Sequence, residues 1–442
     1  MKLLKESMYN HCLPQEGYTL LYNHLTNMIG RVMNPLELTN IQRALEQCKT
    51  PDSPLFTSLA QDRFFVDDAC YEELAADVQY TTRRYNGIFS PIILASEQCN
   101  FRCSYCYEEF KRGNISDDVI NAFIKYIRKN LRNYTGVSIG WFGGEPLLAA
   151  KEIERISTAV IDICAQGRKP YSAHMTTNGY LLDAAMVERM LRCKVTHYQI
   201  TLDGMAEHHN QTRALINGWP TFERIIANLR GIRDQVKARQ LSIAIRTNIT
   251  KPQLSRLEEY GSFMATEFGN DPRFSFLFRL AGDWGGERVQ GMKDELAESL
   301  DTVYTRLLNS GVKLSQTDTF NLMGNPICYA ADRNSFILGS DGTMYKCTVR
   351  FDKEYNHLGH ISGNGDLFLD YDKLNQWLAQ PIRKVEKCAS CTTWALCRNR
   401  TCPARIFDEA SDEANCSIEF SSLDAILRLF DRLNSEYVKE YA

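Results

Sequence analysis

Residues 88–110 read IFSPIILASEQCNFRCSYCYEEF, in which an apolar segment is followed directly by three closely spaced cysteines. Five more apolar segments follow along the chain, and the stretches between them carry apolar residues at helical spacing. The predicted strands are 88–96, 137–143, 171–177, 197–203, 241–249 and 273–280, and the predicted helices between them are 117–131, 152–165, 183–193, 221–232 and 255–268. This alternation requires parallel strands with right-handed crossovers, so we predict an α/β fold, either a doubly wound sheet or a partial barrel.

Polar or glycine-containing segments follow the first four predicted strands. The three cysteines follow the first strand, GGEP the second, TTNG the third and TLDG the fourth. In both candidate folds, functional sites lie at the carboxyl ends of the strands. We therefore expect these four segments to converge on one rim and to form the functional site.

Composition excludes several functional classes. The 442-residue chain has a formal net charge of −3, which does not suit a nucleic-acid-binding protein. It contains no apolar run long enough to span a membrane, and its first residues lack the features of a secretory signal. We therefore expect a cytoplasmic protein with no membrane or nucleic-acid partner.

The chain contains 15 cysteines, which in a reducing compartment favour metal or redox use over disulfides. Ten of them fall in two groups, and five are scattered. The scattered cysteines are expected to be small, buried apolar residues: Cys12, Cys48, Cys70, Cys164 and Cys193.

The first group consists of Cys99, Cys103 and Cys106. A loop with this spacing can place three thiolates around a cubane cluster and leave the fourth iron open to a ligand. A three-thiolate zinc site is the alternative, although structural zinc prefers four ligands.

The CxxxCxxC spacing, with Tyr105 before the last cysteine, resembles the radical S-adenosylmethionine (SAM) superfamily. The resemblance implies a partial (β/α)6 TIM barrel and a [4Fe-4S] cluster held by Cys99, Cys103 and Cys106. In that family the open iron chelates the amino and carboxylate groups of SAM. One electron then cleaves the sulfonium, and the 5′-deoxyadenosyl radical abstracts hydrogen from the substrate.

The same resemblance implies contacts with SAM. Tyr105 is expected near the adenine, and Gly143-Gly144-Glu145-Pro146 near the methionine amino group. Thr201 stands where the family often has serine and is a candidate for the ribose contact. Asn178 and Arg246 are further candidates near strand ends. For Arg246, a structural ion pair and a contact with the SAM carboxylate both remain open.

The second cysteine group lies between residues 328 and 416. Two zinc ribbons are the ordinary interpretation of paired CxxC motifs, but only one true CxxC occurs among seven cysteines. The pattern resembles the SPASM extension of peptide-modifying radical enzymes, which implies two auxiliary [4Fe-4S] clusters. The distal cluster would be held by Cys388, Cys391, Cys397 and Cys416, and the proximal one by Cys328, Cys347 and Cys402. The proximal cluster then has an open iron or a non-cysteine ligand. Cys402 is one residue further from Cys397 than is usual in the family.

We predict a winged-helix-like α+β module at residues 1–87, before the barrel at 88–282. Two strands around a turn at Asn23 or Asn27, a helix after Asn34, a strand near FFVDD and a second helix indicate this module. Such modules in peptide maturases pair an edge strand with the leader of a precursor peptide; a mere packing extension is the alternative. A linker with a helix (283–323), the SPASM region (324–420) and a C-terminal helix (421–442) complete the prediction.

The predicted function is a radical SAM peptide maturase that installs a thioether or carbon–carbon crosslink in a precursor peptide, with an electron donor such as flavodoxin or ferredoxin. A peptide epimerase and an anaerobic sulfatase maturase are alternatives. Sulfatase maturases typically have an aspartate base after the cysteine equivalent to Cys347, and this chain has Thr348, which is not a base at neutral pH. A non-catalytic metal- or cluster-binding protein is a further alternative.

Overall fold

The computed structural model describes residues 4–67, 72–85, 87–280, 300–313, 328–378, 392, 403–407, 420–433 and 438–441. The chain forms two compact units. One comprises Met1–Arg84, Thr319–Cys328 and Gln380–Ala442, and the other comprises Tyr85–Asp318 and Tyr329–Ala379.

The described strands are, in chain order, β1 (Leu4–Glu6), β2 (Asn10–Gln15), β3 (Tyr18–Asn23), β4 (Met28–Val32), β5 (Phe65–Asp67), β6 (Ile88–Phe89), β7 (Ile92–Ser96), β8 (Gly136–Gly143), β9 (Tyr171–Thr177), β10 (Val195–Thr201), β11 (Ser242–Ile249), β12 (Phe274–Leu280), β13 (Ile337–Leu338), β14 (Thr343–Tyr345), β15 (His357–Ile361), β16 (Leu367–Leu369) and β17 (Lys439–Tyr441). The described α-helices are α1 (Pro35–Glu46), α2 (Pro54–Gln61), α3 (Glu72–Arg84), α4 (Asp117–Asn130), α5 (Ala150–Gln166), α6 (Ala184–Arg192), α7 (Ala206–Thr212), α8 (Phe222–Gln235), α9 (Leu257–Phe268), α10 (Leu300–Asn309), α11 (Tyr371–Leu378) and α12 (Phe420–Leu433).

The larger unit is built on parallel strands whose order in space follows the chain. Strands β7 to β12 are neighbours in sequence order, and every pair among them is parallel. A doubly wound sheet would reverse its strand order at a switch point, and this sheet does not. The partial barrel is therefore confirmed, and all six predicted strands and the five helices between them are present.

Local sequence explains where several helices begin. The side chain of Ser116 accepts a hydrogen bond from the backbone N–H of Val119 at the start of α4, and Asp183 does the same for Met186 at the start of α6. Capping side chains of this kind satisfy backbone donors that have no partner within the helix. Helices α4 and α6 therefore each begin directly after a loop on the rim of the barrel.

Strands from the second half of the chain extend the barrel sheet. Strand β13 pairs with β7 in parallel, and β14, β15 and β16 then add in antiparallel order. Strand β7, which leads into the first cysteine group, is therefore paired on both sides.

The smaller unit contains a four-stranded sheet in the order β17-β4-β3-β2 and a separate pair of β1 with β5. The predicted strands around the turn near Asn23 and Asn27 are β3 and β4, and the backbone of Asn27 is left-handed (φ 58°). The predicted cap at Asn34 is also present, because its side chain accepts a hydrogen bond from the backbone N–H of Glu37. The sequence did not predict β1, β2 or α2.

The predicted helix at the end of the chain is too long. Helix α12 ends at Leu433, and Lys439–Tyr441 form a strand that pairs in parallel with β4. Tyr441 is buried in the apolar core of the smaller unit. Burial of this ring stabilises a strand where the sequence predicted helix. None of the helices in the described part of the chain has the length and apolar character needed to cross a membrane.

The scattered cysteines divide between two environments. Cys164 and Cys193 are buried as expected, whereas Cys12 and Cys48 are exposed, which makes the expectation wrong for these two. Cys70 lies outside the described residues.

Candidate active site

A cavity opens at the carboxyl ends of the parallel strands, with about 1050 Å³ of space including its mouth. It is lined by these predicted site residues: Cys99, Cys103, Cys106, Tyr105, Gly143, Gly144, Asn178, Thr201 and Arg246. Thr176 and Thr177 of the TTNG segment also line the cavity. The remaining lining residues were not predicted: Phe101, Tyr107, Glu108, Phe110, Phe142, Gln199, Arg213 and Asn248. The structure thus brings together the predicted barrel residues except Glu145 and Pro146.

The cysteine loop is held by a second segment of backbone. Phe101 and Leu215 form an antiparallel bridge, the N–H of Arg102 donates to the carbonyl of Ala214 at 3.0 Å, and that of Ser104 donates to Thr212 at 2.9 Å. The segment after α7 therefore pairs with the loop like a short strand. This pairing fixes the positions of the three cysteines relative to the ends of the barrel strands.

The three thiols are partly buried in the cavity wall. Burial raises the pKa of Cys99 to about 12 and that of Cys106 to about 11, and it also raises the pKa of Cys103. Desolvation disfavours a thiolate that has no cation beside it. The loop therefore needs a positive centre if all three sulfurs are to be ionised.

Gly143 and Gly144 permit the close approach of two backbones. Gly143 has φ +126°, and a Cβ there would overlap the carbonyl oxygen of Ser96. The N–H of Gly144 donates to that carbonyl at 2.9 Å, and the N–H of Glu145 donates to the carbonyl of Gln98 at 2.9 Å. The two glycines therefore let the end of β8 hydrogen-bond to the residues that lead into the cysteine loop, and they face the cavity themselves.

Glu145 is fully buried behind the cavity wall. Its Oε1 accepts from the N–H of Leu147 at 3.0 Å and from the hydroxyl of Thr177 at 2.7 Å, and its Oε2 accepts from the N–H of Asn178 at 2.8 Å. Burial raises the pKa of this carboxyl, and the three hydrogen bonds oppose the rise. The Glu145 side chain joins the ends of β8 and β9, which leaves the glycine backbone as the part of GGEP that faces the cavity.

A buried polar network under the cysteine loop escaped the sequence analysis. The hydroxyl of Tyr105 donates to Asp203, and it accepts from Nη1 of Arg213 at 2.7 Å and from Nδ2 of Asn248 at 3.3 Å. Oδ1 of Asp203 also accepts from the N–H of Asn248 at 2.9 Å. Tyr105 therefore presents its ring to the cavity while its hydroxyl is held from below. The only sequence signal was Asp203 within TLDG, because the pairing of Arg213 depends on the fold.

The network continues to a neutral histidine. Nδ1 of His209 accepts from the N–H of Asp203 at 3.1 Å, and Nε2 lies 3.1 Å from the hydroxyl of Thr221. Burial lowers the pKa of His209 well below its usual value. An uncharged His209 therefore holds the end of β10 without adding a second buried cation beside Arg213.

Asn178, Thr201 and Arg246 lie on adjacent strand ends. Nδ2 of Asn178 donates to Oδ1 of Asn100 at 2.8 Å, which fixes the loop between the first two cysteines. Thr201 and Arg246 are register partners across β10 and β11. Nε of Arg246 donates to Oδ1 of Asn248 at 3.0 Å, and no carboxylate in the described part of the chain forms an ion pair with it. The ion-pair alternative for Arg246 therefore has no support from this geometry.

Glu108 contributes an acidic group to the cavity. Its Oε1 is buried and has no hydrogen-bond partner among the described residues. Burial raises the pKa of this carboxyl to about 8, with Glu97 and Glu109 adding to the rise. This role was not predictable, because Glu108 lies in the charged run YEEFKR, which resembles an exposed turn.

The second cysteine group is only partly described. Cys347 is buried two residues after β14, and its N–H donates to Oδ1 of Asn356 at 2.8 Å. Next to it, the Thr348 hydroxyl lies 2.7 Å from that of Tyr329. Cys328 is partly exposed. The remaining predicted ligands lie outside the described residues: Cys388, Cys391, Cys397, Cys402 and Cys416.

Comparison with known proteins agrees with this geometry. Residues 93–251 match the model of the Radical SAM superfamily, and this range contains every residue that lines the cavity. A cysteine-type anaerobic sulfatase-maturating enzyme of Clostridium perfringens strain 13 is 23% identical in an alignment of length 348 that covers 72% of this chain and 90% of that enzyme.

Solved structures show the same fold. Native anSMEcpe with bound AdoMet and Cp18Cys peptide matches 79% of this chain and 99% of that chain, with 19% identity and a TM-score of 0.58. SuiB of Streptococcus suis bound to precursor peptide SuiA matches 94% of this chain and 100% of that chain, with 14% identity and a TM-score of 0.50.

Proposed function

We propose that this chain, a radical SAM enzyme whose radical SAM domain spans residues 93–251, modifies a ribosomally synthesised precursor peptide. The observation that carries the proposal is the cavity itself, where the cysteine loop, two glycines and the ends of β8 to β11 meet on one rim. Peptide as the substrate class is supported by the two solved structures of similar fold, each of which holds a peptide.

The cysteine loop fits a [4Fe-4S] cluster. Its three cysteines all line the cavity. A cubane takes one thiolate per iron, so its thiolates lie further apart than the ligands of one ion. Cys99, Cys103 and Cys106 would hold three irons, and the cluster would supply the positive charge that their buried thiolates need.

The rest of the cavity fits SAM. Arg246 offers a half-buried cation that no described carboxylate pairs with, which suits the carboxylate of the methionine part. The backbone of Gly143 and Gly144 suits its amino group, the hydroxyl of Thr201 suits the ribose, and the ring of Tyr105 suits the adenine. Asn178 donates a hydrogen bond to Asn100, so its role would be to orient the cysteine loop rather than to contact SAM directly.

When bound, the cluster and SAM would supply radical chemistry, the abstraction of a hydrogen atom from the substrate. The chain's own residues hold this chemistry in place and shield it. Phe101, Phe110 and Phe142 give the cavity apolar walls, and Tyr107 adds a fourth aromatic ring. Apolar walls exclude water, which protects a reactive radical from side reactions.

The finer assignment is a crosslink, of the thioether or carbon–carbon type. A crosslink removes two hydrogens, so it needs an acceptor for the electron left after ring closure. Two auxiliary clusters in a SPASM region, with Cys328 and Cys347 among their ligands, would provide that acceptor. The module predicted at residues 1–87 would bind the leader of the peptide, and a flavodoxin or ferredoxin would supply the first electron.

Sulfatase maturation is the second candidate, because a relative with that activity aligns over most of both chains. Against it stands Thr348, whose hydroxyl is hydrogen-bonded to Tyr329 and is no base at neutral pH. An epimerase is the third candidate, and it requires a hydrogen donor instead of an electron acceptor.

The first test is anaerobic. The reconstituted, reduced chain is given SAM, and 5′-deoxyadenosine is measured for the wild type and for a variant in which Cys99, Cys103 and Cys106 are all alanine. A variant with Cys164→Ala serves as the matched control, because this cysteine is buried in α5 away from the cavity. We expect product from the wild type and the control only; no product from a fully loaded wild type would refute the proposal.

The second test separates the candidates by the mass of the peptide product. Co-expression with short peptides encoded beside the gene, followed by mass spectrometry, should reveal a loss of two hydrogens for each crosslink. Epimerisation would instead leave the mass unchanged in water and add one deuteron in deuterium oxide. Conversion of a sulfatase-derived cysteine peptide to formylglycine, with no product from any precursor peptide, would favour the sulfatase maturase.

A further inference from the structure

The smaller unit contains a groove beside β4 that holds a short piece of the same chain. Strand β17 lies there in parallel, with Lys439 opposite Gly30 and Tyr441 opposite Val32. The N–H of Met33 donates to the carbonyl of Tyr441 at 2.8 Å, which extends the ladder by one bond. In this way a three-residue strand takes the edge of a sheet where an extended peptide would add.

The groove is shaped for one aromatic side chain. Tyr441 is buried among apolar residues of α1, α2 and the sheet, and its ring meets Phe64 edge to face at 5.9 Å between centroids. Gly30 makes the space, because a Cβ at this position would overlap the tyrosine ring. The hydroxyl of Tyr441 donates to Oδ2 of Asp62 at 2.7 Å at the end of the pocket.

The same carboxylate also binds a basic side chain. The ammonium of Lys439 pairs with Asp62 and lies 5.0 Å from the centre of the Tyr441 ring. Residues two apart point to the same face of a strand, so Lys439 and Tyr441 are presented together. Glu440, between them, is mostly exposed and pairs with Arg31 of β4 at 3.2 Å. The groove therefore selects an extended segment with a basic residue two positions before an aromatic one.

The strand and the helix before it share one partner, Arg31, which binds Asp431 of α12 and Glu440 of β17, and they are otherwise held by different residues. Helix α12 packs Leu423, Leu427 and Phe430 against the other side of the sheet. Arg31 and Tyr18 both bind Asp431 at the end of that helix. Helix α12 can keep these contacts while β17 leaves its groove.

The opposite edge of the sheet is a poor alternative for a peptide. Strand β2 contains Pro14, which lacks an N–H, and proline on an edge strand blocks the addition of a further strand. Among the described strands of this sheet, the β4 side is thus the edge suited to pairing.

We propose that β17 is a displaceable internal ligand of a peptide-binding groove, and that a basic-x-aromatic segment of another peptide competes with it for the β4 edge. That the competing peptide is the substrate's leader rests on the proposed function. The groove then accepts substrate only when the chain's own strand has left, which makes β17 an autoinhibitory element.

The test uses the chain's own segment as the probe. A fluorescein-labelled peptide of residues 435–442 is titrated against the full chain and against a chain shortened to end at Val438, with fluorescence anisotropy as the readout. We expect the shortened chain to bind the peptide at least tenfold more tightly. Equal affinities, or no binding to a folded shortened chain, would overturn the proposal.

Matched variants locate the site. In the peptide, Tyr441→Ala and Lys439→Glu should weaken binding at least tenfold, whereas Glu440→Gln, which loses only an exposed pair with Arg31, should weaken it less than about fivefold. In the shortened chain, Gly30→Val fills the tyrosine pocket and should abolish binding. Binding that ignores the aromatic residue or the Gly30→Val change would refute the assigned groove.

A full-length variant provides a test if the shortened chain does not fold. Full-length Tyr441→Ala keeps the strand but empties the pocket, and added peptide should raise its melting temperature while leaving that of the wild type unchanged. No rise would count against the proposal. Because these assays contain no SAM, cluster or precursor peptide, their outcome is independent of whether the chain modifies peptides.

Discussion

Replacement of Glu145 by glutamine is expected to loosen the rim of the cavity without changing side-chain volume. The carboxylate serves three donors, with Leu147 and Thr177 on Oε1 and Asn178 on Oε2. A glutamine has one carbonyl oxygen, so its NH₂ must face either Leu147 or Asn178. Either orientation leaves one buried backbone N–H without an acceptor, which costs about 1–3 kcal/mol.

The remaining hydrogen bonds also become weaker, because they no longer involve a charged acceptor. Together these effects should destabilise the ends of β8 and β9 by about 2–4 kcal/mol. Hydrogen exchange followed by mass spectrometry measures this locally. At about 1.4 kcal/mol per tenfold, the lower limit corresponds to about thirtyfold faster exchange in segments 144–149 and 176–180.

Glu188→Gln is the matched control, because this side chain is exposed on α6. It should leave exchange and stability within about 0.5 kcal/mol of the wild type. If Glu145→Gln exchanged at the wild-type rate in both segments, Glu145 would not hold these strand ends and our account of GGEP would be wrong.

Three further predictions follow from other residues of the two units. Arg246→Gln should weaken SAM binding by roughly 10–100-fold in calorimetry of the reconstituted enzyme, because a hydrogen bond between charged groups contributes about 1.5–3 kcal/mol. The control is Arg224→Gln, at an exposed position. Unchanged SAM affinity of Arg246→Gln would make Arg246 purely structural. Gly143→Ala should reduce the iron bound per chain after reconstitution, because φ +126° and the Ser96 carbonyl exclude a side chain. The control is Gly113→Ala, which has open space around it and should bind iron normally. Equal iron contents in the two variants would contradict this prediction. Burial lowers the pKa of His24 to about 3, so the stability it supports is complete above its unfolded pKa of about 6.5 and is lost as the pH falls toward 3. Between pH 6.5 and 5 this loss is about 2 kcal/mol, visible as a lower urea midpoint of the smaller unit, and His24→Phe should remove that part of the pH dependence.

The barrel strands and the cavity residues were predictable because their signals are local. Apolar periodicity located β7 to β12, and glycine or cysteine motifs after successive strands predicted one shared rim. The same reasoning could not find Arg213, whose partner Tyr105 is 108 residues away in the chain. Nor could it find β17, because the three residues Lys-Glu-Tyr carry no strand pattern of their own and are ordered by a partner strand 409 residues earlier. Long-range pairing of buried polar groups and short strands leaves little trace in a single sequence.

Strand β7 has a partner strand on each side, and these two partners are synthesised at different times. One neighbour, β8, emerges soon after β7, but the other, β13, lies about 240 residues later. Glu97, at the entrance to the cysteine loop, also has a partner that is synthesised later. The N–H and the hydroxyl of Ser340 donate to its carboxylate at 2.9 and 2.8 Å. Until that part of the chain has left the ribosome, β7 is an open sheet edge, which is prone to pair with other chains. Cluster loading before that point would act on a loop whose entrance is not yet fixed, so we expect stable iron binding only after the second half of the chain has been translated.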